Sequence, residues 1–194
     1  MIIYVDGSFT RLSGRTFIHS WGVVALHNDS MVELHGARKL HDFQQFAGSY
    51  ELLAFIEGYL YAKSHGYKNE DISFYSDDES VVYAGIWGDA NNFGQKDRYD
   101  KVMSKVKHIC DFYYPQIKDL PNQIAECFAQ SRFNKVKGHA KCIYNLRVDF
   151  LAKFSRDQVL GKETSLEGFD QWIKQGFMKF VENAQSVRWF PHFC

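Results

Sequence analysis

Four acidic residues stand at the ends of apolar segments that are far apart in the chain: Asp6, Glu51, Asp77 and Asp149. Four carboxylates brought together would repel one another strongly, and divalent cations relieve that repulsion. Mg²⁺ suits hard oxygen ligands of this kind and binds through a few carboxylates, water and substrate phosphate. Two such ions a few ångströms apart can activate a water and stabilise the leaving oxygen of a phosphodiester. Together, the acids therefore indicate metal-assisted phosphodiester hydrolysis.

Each acid alone also has an ordinary structural interpretation. Asp6 precedes Gly7 and is compatible with a turn. Glu51 suits the first turn of a helix, where the helix dipole favours a negative charge, and Asp149 suits a solvated helix position. The chemical interpretation therefore depends on whether the elements that carry these acids bring them to one place.

The first acid follows an apolar, β-branched run at residues 2–5, which predicts a central strand buried on both faces. The whole pattern predicts the order β-β-β-α-β-α-α-α-β-α, in which a hairpin and crossover helices build a mixed sheet. The predicted strands cover residues 2–5, 17–26, 31–34, 72–77 and 133–137. The predicted helices cover residues 49–64, 79–86, 98–114, 122–130 and 145–154.

The helix that carries Glu51 is predicted to press closely against the sheet. Ser49 is a favourable N-cap for this helix, and Gly66 closes it. A stripe of small side chains follows Glu51 at helical spacing, formed by Ala54, Gly58 and Ala62. Glu51 is therefore expected on the side of the helix that faces the sheet.

The composition limits the possible functions but does not identify one. The chain has 194 residues, 23 basic and 23 acidic, so binding of nucleic acid by bulk charge is not expected, although a local basic groove remains possible. No apolar run reaches the ~20 residues of a membrane helix, and no signal peptide is expected, which favours a cytoplasmic protein. The four cysteines form no CxxC pair, which argues against a zinc site, and we interpret them as reduced thiols.

Four motifs give the acids a common context: IIYVDGS at the first strand, SYELLA at the helix with Glu51, FYSDDESVV at the fourth strand, and VKGHAKCIYNLRVDFLAK near residue 149. In order and spacing, from residue 1 to about 155, they resemble ribonuclease H, type I. The resemblance implies an α/β, RNase H-like fold with a five-stranded mixed sheet of three antiparallel and then two parallel strands. It also implies a catalytic domain at residues 1–158, with residues 159–194 as a C-terminal extension.

The resemblance implies roles for individual residues. Asp6, Glu51, Asp77 and Asp149 would bind two Mg²⁺ ions, for which Mn²⁺ can substitute. Asp77 follows from matching Tyr75-Ser76-Asp77, whereas a match on Gly85-Ile86 would favour Asp78. His139 would be the loop histidine that assists proton transfer or product release. Substrate contacts are expected from Gly7, Ser8, Asn145, Lys101, Lys105 and Lys141.

One position departs from the family pattern. The family often has Asn or Gln just before the helix glutamate, where these side chains contact the nucleic-acid backbone. Here the segment 47–50, with Tyr50 directly before Glu51, stands in that place.

The function implied is an endonuclease that hydrolyses the RNA strand of RNA–DNA hybrids and leaves 5′-phosphates. The alternatives are a non-catalytic module that binds such hybrids and a DNA-directed nuclease of the same superfamily. Residues 159–194 are expected to form a helix with an aromatic face, comprising Phe169, Trp172, Ile173, Phe177 and Phe180. We expect this face to pack on the chain's own core in a monomer, and a dimer contact is the alternative.

Overall fold

The computed structural model describes residues 1–28, 30–41, 48–88, 95–136 and 142–167. A five-stranded sheet with the order β3-β2-β1-β4-β5 forms its centre. The strands are β1 (Ile2–Arg11), β2 (Thr16–His27), β3 (Ser30–His41), β4 (Ser73–Ser76) and β5 (Arg132–Lys135). The helices are α1 (Ser49–Ser64), α2 (Glu79–Gly88), α3 (Lys96–Tyr113), α4 (Leu120–Gln130) and α5 (Ile143–Val159).

The predicted mixed sheet is confirmed. Strand β2 pairs antiparallel with both β1 and β3, and β4 pairs parallel with β1 and β5. This is the RNase H-like arrangement that the sequence resemblance implies. Strand β1 lies in the middle of the sheet and pairs with both groups of strands.

Strand β1 is longer than predicted. Its parallel pairing with β4 covers only residues 2–4, but its antiparallel pairing with β2 continues to the pair Arg11↔Phe17. Strand β3 likewise continues beyond the predicted residue 34, because it pairs with β2 as far as His41↔Thr16. The three antiparallel strands therefore extend well past the end of the parallel pair.

Alternating side chains of β1 enter two cores. Ile3 and Val5 face a large core that includes α1, while Tyr4 faces a smaller one that includes Val148 and Leu151 of α5. Because successive side chains of a strand point to opposite faces, α1 and α5 lie on opposite sides of the sheet.

The predicted close approach of α1 is confirmed at Gly58. A Cβ built on this glycine would lie 2.9 Å from Ile3 Cγ2 and 3.2 Å from Val5 Cγ1. The predicted cap is wrong, however, because Ser49 is already helical. The residue before it, Gly48, has φ 78°, a conformation that glycine adopts without the strain of a Cβ.

The close approach of α5 depends on Gly22 in β2. A Cβ on Gly22 would overlap the carbonyl oxygen of Val148 and lie 2.9 Å from Leu151 Cβ. Gly22 pairs with Asp6 across the β1–β2 ladder. The position where α5 touches the sheet is therefore directly beside the first of the four acids.

The cysteines differ in their chemical state. Cys110 and Cys127 are free and buried as predicted, whereas Cys142 is disulfide-bonded, so the prediction of a reduced thiol is wrong there. The predicted aromatic helix of the C-terminal extension lies outside the described residues. Among the described helices, none is both long and apolar enough to cross a membrane.

Gly22→Ala should lower stability and displace α5, because the added methyl meets backbone atoms that cannot rotate away. Overpacking of this kind costs about 1–3 kcal/mol or more. Gly14→Ala is the control: its Cβ would meet nothing within 4 Å, and only the strain of φ 55° would be felt, about 1–2 kcal/mol. Thermal unfolding measures the loss of stability in each variant. A loss for Gly22→Ala no larger than the loss for Gly14→Ala would contradict the packing role of Gly22.

Candidate active site at the ends of β1 and β4

Two of the predicted acids lie side by side because of strand register. Tyr4 of β1 pairs with Tyr75 of β4, and Asp6 and Asp77 each follow two residues later. The parallel pairing stops at Tyr4, so both acids lie just beyond its end, where the strands separate. This is the edge at which parallel sheets commonly place functional residues. Asp6 is 7% exposed there.

Glu51 reaches the same edge from α1. Its Oε2 accepts a hydrogen bond of 2.8 Å from the backbone N–H of Gly7, the residue that follows Asp6. A Cβ on Gly7 would overlap the Tyr50 carbonyl group and lie 2.7 Å from Glu51 N. Gly7 therefore lets the first turn of α1 rest on β1, which brings the two carboxylates together.

Helix α5 contributes from the opposite face. Asn145 is 3% exposed, and its Nδ2 donates a hydrogen bond of 3.4 Å to Asp77 Oδ2. Its Oδ1 is buried and has no hydrogen-bond partner among the residues that the structure describes. Asp149 follows one turn later and forms a 2.6 Å ion pair with Lys153. All four predicted acids and Asn145 are thus carried to one end of β1 and β4.

The electrostatics of the site reflect this proximity. Burial, and then the neighbouring charges of Asp77 and Asp149, raise the pKa of Asp6 to about 8. Burial, and then the charges of Asp6 and Asp78, raise the pKa of Glu51 well above its usual range. Hydrogen bonds from Gly7 act in the opposite direction on both groups but do not cancel the shift. The cluster holds more negative charge than its own surroundings neutralise.

Asp77 and Asp78 have different surroundings. Asp78 precedes α2 and caps it, because its Oδ1 accepts the N–H of Val81 at 3.0 Å and its own N–H donates to Ser76 Oγ at 3.1 Å. Asp77 instead accepts from Asn145. Asp78 is nevertheless close enough to Glu51 to raise its pKa, so both residues border the cluster.

The predicted substrate residues are distributed more widely. Ser8 Oγ accepts a 3.3 Å hydrogen bond from Arg156 Nη1 of α5. Lys101, which is exposed, and Lys105, which is half-buried, lie on α3, a helix that packs on α1, α2 and α4. His139 and Lys141 lie outside the described residues.

One basic residue within the last motif and one directly before it are engaged within the protein. Arg147 forms a two-pronged ion pair with Glu33 of β3, at 2.7 and 2.8 Å. Lys135 pairs with Glu79 at the start of α2. Both side chains are therefore held by acids other than those of the cluster.

A divalent metal fits the chemistry of the cluster. Within the part of the chain that the structure describes, no group of three or more His, Cys, Asp or Glu residues is arranged as a metal site. The donors that converge are carboxylate oxygens and the buried amide oxygen of Asn145, which are the ligands a hard cation prefers. The raised pKa values of Asp6 and Glu51 show that positive charge would stabilise the ionised cluster.

Sequence reasoning missed two residues that shape the site. Gly22 was read only as part of a strand, although its pairing with Asp6 admits α5. Tyr50 precedes Glu51 and stacks on Phe9 at 6.0 Å, and the carboxylates of Glu51, Asp78 and Asp6 help to raise its pKa after burial. The departure from the family pattern at this position was the available signal for Tyr50.

No protein-family model matches this chain, and the sequence of no curated protein does so either. Similar solved structures include LC11-RNase H1 in complex with an RNA/DNA hybrid, with a TM-score of 0.47 and 17% identity over 82% of this chain and 98% of that one. The foamy viral protease–reverse transcriptase in complex with dsDNA has a TM-score of 0.49 and 16% identity over 80% of this chain and 91% of that one.

The native prototype foamy virus protease–reverse transcriptase has a TM-score of 0.49 and 17% identity over 79% of this chain. This chain spans only 20% of that protein. Similarity at these values does not transfer an activity, so the function must come from this chain's own residues.

Asp6→Asn should gain stability relative to the wild type as the pH rises from about 4 to about 8 in the presence of a chelator. A raised folded-state pKa means that the native protein binds more protons than the unfolded chain, so the Asp6 contribution is lost as the pH rises to about 8. The quantity to measure is therefore the difference in stability between the wild type and Asp6→Asn at each pH. His19, whose pKa is lowered to about 4 by burial, makes both proteins more stable as the pH rises from about 4 to about 6.5.

Thermal unfolding across this pH range measures the difference, and each kcal/mol moves the midpoint by about 2–4 °C in a chain of this size. Asp111→Asn, at an exposed residue of α3, is the control and should show no such trend. Millimolar Mg²⁺ should stabilise the wild type more than Asp6→Asn. A pH-independent difference between wild type and Asp6→Asn would mean that Asp6 is not in a repulsive cluster.

Proposed function

We propose that this chain is a nuclease that hydrolyses the RNA strand of RNA–DNA hybrids with the help of two Mg²⁺ ions. The observation that supports this most is the convergence of acids from β1, α1, β4 and α5 at one edge of the sheet. The preference for RNA in a hybrid rests on the sequence resemblance, through the order of the acids and the Gly-His segment before Asn145.

The metal ligands we propose are Asp6, Glu51, Asp77 and Asp149. When bound, two Mg²⁺ ions would supply an activated water and charge stabilisation for the leaving oxygen of the phosphodiester. Asp149 would exchange its ion pair with Lys153 for this role, because that pair now occupies Oδ2.

The other residues would position these ligands. The Gly7 N–H orients Glu51, and Asn145 Nδ2 holds one oxygen of Asp77. The Oδ1 of Asn145, which meets no hydrogen-bond donor within the described part of the chain, can accept a hydrogen bond from a substrate 2′-hydroxyl or a bound water. His139 is proposed to assist proton transfer or product release, and a cytoplasmic location is proposed from the sequence alone.

A substrate panel tests the function. Purified protein should cleave a labelled RNA–DNA hybrid in Mg²⁺, leave 5′-phosphates on the RNA, and cleave nothing in chelator. Asp6→Asn should lose more activity than the ~10–100-fold typical of changes around a metal's ligands, because it removes charge from a ligand itself. Cleavage of duplex DNA instead would identify a DNA-directed nuclease, and hybrid binding without cleavage would identify a non-catalytic module.

Variants of Asp77 and Asp78 should lose different properties, cleavage activity in one case and stability in the other. Asp77→Asn should abolish cleavage with little change in stability, because it removes charge next to Asp6. Asp78→Ala should cost about 1 kcal/mol of stability through loss of the α2 cap while most activity remains. Asp78→Asn is the matched control, since asparagine caps helices as well as aspartate does. The reverse ranking in activity would assign the metal to Asp78.

A further inference from the structure

Cys142 differs from the other described cysteines because it is already bonded. It is disulfide-bonded, whereas Cys110 and Cys127 are free. The chain has four cysteines, so Cys194 is the only other cysteine of the same chain with which Cys142 can pair. Cys194 is the last residue of the chain. A bond between these two residues would therefore close a ring that contains all of α5 and the C-terminal extension.

The bonded cysteine lies in a fixed part of the fold. Cys142 directly precedes α5 and is 4% exposed. Its carbonyl accepts the backbone N–H of Leu146 at 3.1 Å, and its side chain belongs to the smaller core with Tyr4 and Val148. Asn145, which binds Asp77, follows three residues later. A chain end bonded to Cys142 would therefore be held at the first turn of α5.

The extension begins at the opposite end of α5. There Ser155 Oγ and His35 Nδ1 form a hydrogen bond of 2.8 Å, and Arg156 donates to Ser8 Oγ at 3.3 Å. Helix α5 has 17 residues and is therefore about 25 Å long. Residues 168–194 would cover ~40 Å even as one continuous helix, at ~1.5 Å per residue. The extension is thus long enough to return along the whole of α5 to Cys142.

A partly exposed apolar stripe runs along α5. Ile143 is 38% exposed, and Leu146 and Phe150 are half-buried. These residues are spaced three and four apart, so they lie on one side of the helix. Val148 and Leu151, which face the sheet, are buried. The aromatic face predicted for the extension needs an apolar partner, and this stripe offers one beside the path back to Cys142.

We propose that a disulfide between Cys142 and Cys194 ties the end of the chain to the start of α5, and that residues 168–193 form a strap packed along its apolar stripe. This inference goes beyond the proposed function and does not depend on it. The bond forms when the two thiols give up two protons and two electrons to a disulfide oxidant such as oxidised glutathione, which becomes two thiols. The strap then holds the helix end that carries Asn145.

Peptide mapping tests the pairing. The full chain is equilibrated in a buffer of reduced and oxidised glutathione, alkylated, and digested without reductant. One peptide should join Cys142 to Cys194, while Cys110 and Cys127 should be alkylated only after unfolding, because both are buried. Recovery of Cys142 as an alkylated thiol, bonded to glutathione, or in a disulfide-linked dimer would overturn the proposal.

Hydrogen exchange tests the strap. Reduction of the bond should speed amide exchange in residues 168–193 and in α5, because the strap and the helix lose their shared anchor. Exchange in α4, which packs in the larger core, should stay unchanged and serves as the internal control. Exchange in residues 168–193 that is the same before and after reduction would overturn the strap.

Thermal unfolding separates the bond from general effects of reductant. Reductant should lower the midpoint of the wild type by roughly 5–15 °C, from the usual contribution of a disulfide in a chain of this size. Cys194→Ser should unfold near the midpoint of the reduced wild type and should not respond to reductant. Cys127→Ser is the matched control: it removes a thiol outside the bond and should keep the full response. An equal response in Cys194→Ser and in the wild type would refute the pairing.

Discussion

The site depends on two helices packing directly on the backbone of one hairpin from opposite faces. Gly7 and Gly22 make this possible, because each stands where a Cβ would overlap a helix backbone. Gly22 pairs with Asp6, and Gly7 is the next residue of β1, so the two contacts are adjacent. A larger residue at either position would move a helix outward and separate the acids it carries from Asp6.

This packing also explains how the fold tolerates buried like charges. Asp6 and Glu51 are nearly inaccessible to water, and burial and mutual repulsion both disfavour their ionised forms. The Gly7 N–H and the Asn145 amide offset part of this cost, and apolar packing on both faces of the sheet holds the strands in place. The acids are thus kept together against their own electrostatics, which is the arrangement expected of a cation site rather than of a site that stabilises the fold.

Sequence reasoning predicted the elements well and the contacts between them poorly. The mixed sheet and the close approach of α1 at Gly58 followed from apolar patterns and small residues, which are local properties of the sequence. The role of Gly22 did not follow, because it depends on a helix more than a hundred residues later. The engagement of Arg147 by Glu33 was missed for the same reason: an ion pair between distant segments leaves no local pattern.

The cap of α1 shows a different limit. Serine is a good N-cap by type, so Ser49 was the natural choice, but a glycine beside it can adopt a positive φ that serine adopts only with strain. The helix therefore begins one residue earlier than the predicted cap implies, and the buried Ser49 hydroxyl has no hydrogen-bond partner within the described ranges. Capping propensity thus predicted the start of α1 to within one residue, and backbone geometry determined which residue is the cap.

The distribution of charge links the two ends of the hairpin. A polyanion is repelled by the ionised acids, so it can approach them only where cations offset that repulsion. Arg11 lies about 17 Å from Asp6 along β1, at ~3.4 Å per residue, so it does not pair with the acids or quench the charge that a metal would require. It is also more than a Debye length away at physiological salt, ~8 Å, so the two fields act on different parts of a long ligand. Zero net charge is therefore compatible with binding nucleic acid, because the opposite charges are separated along the ligand's path.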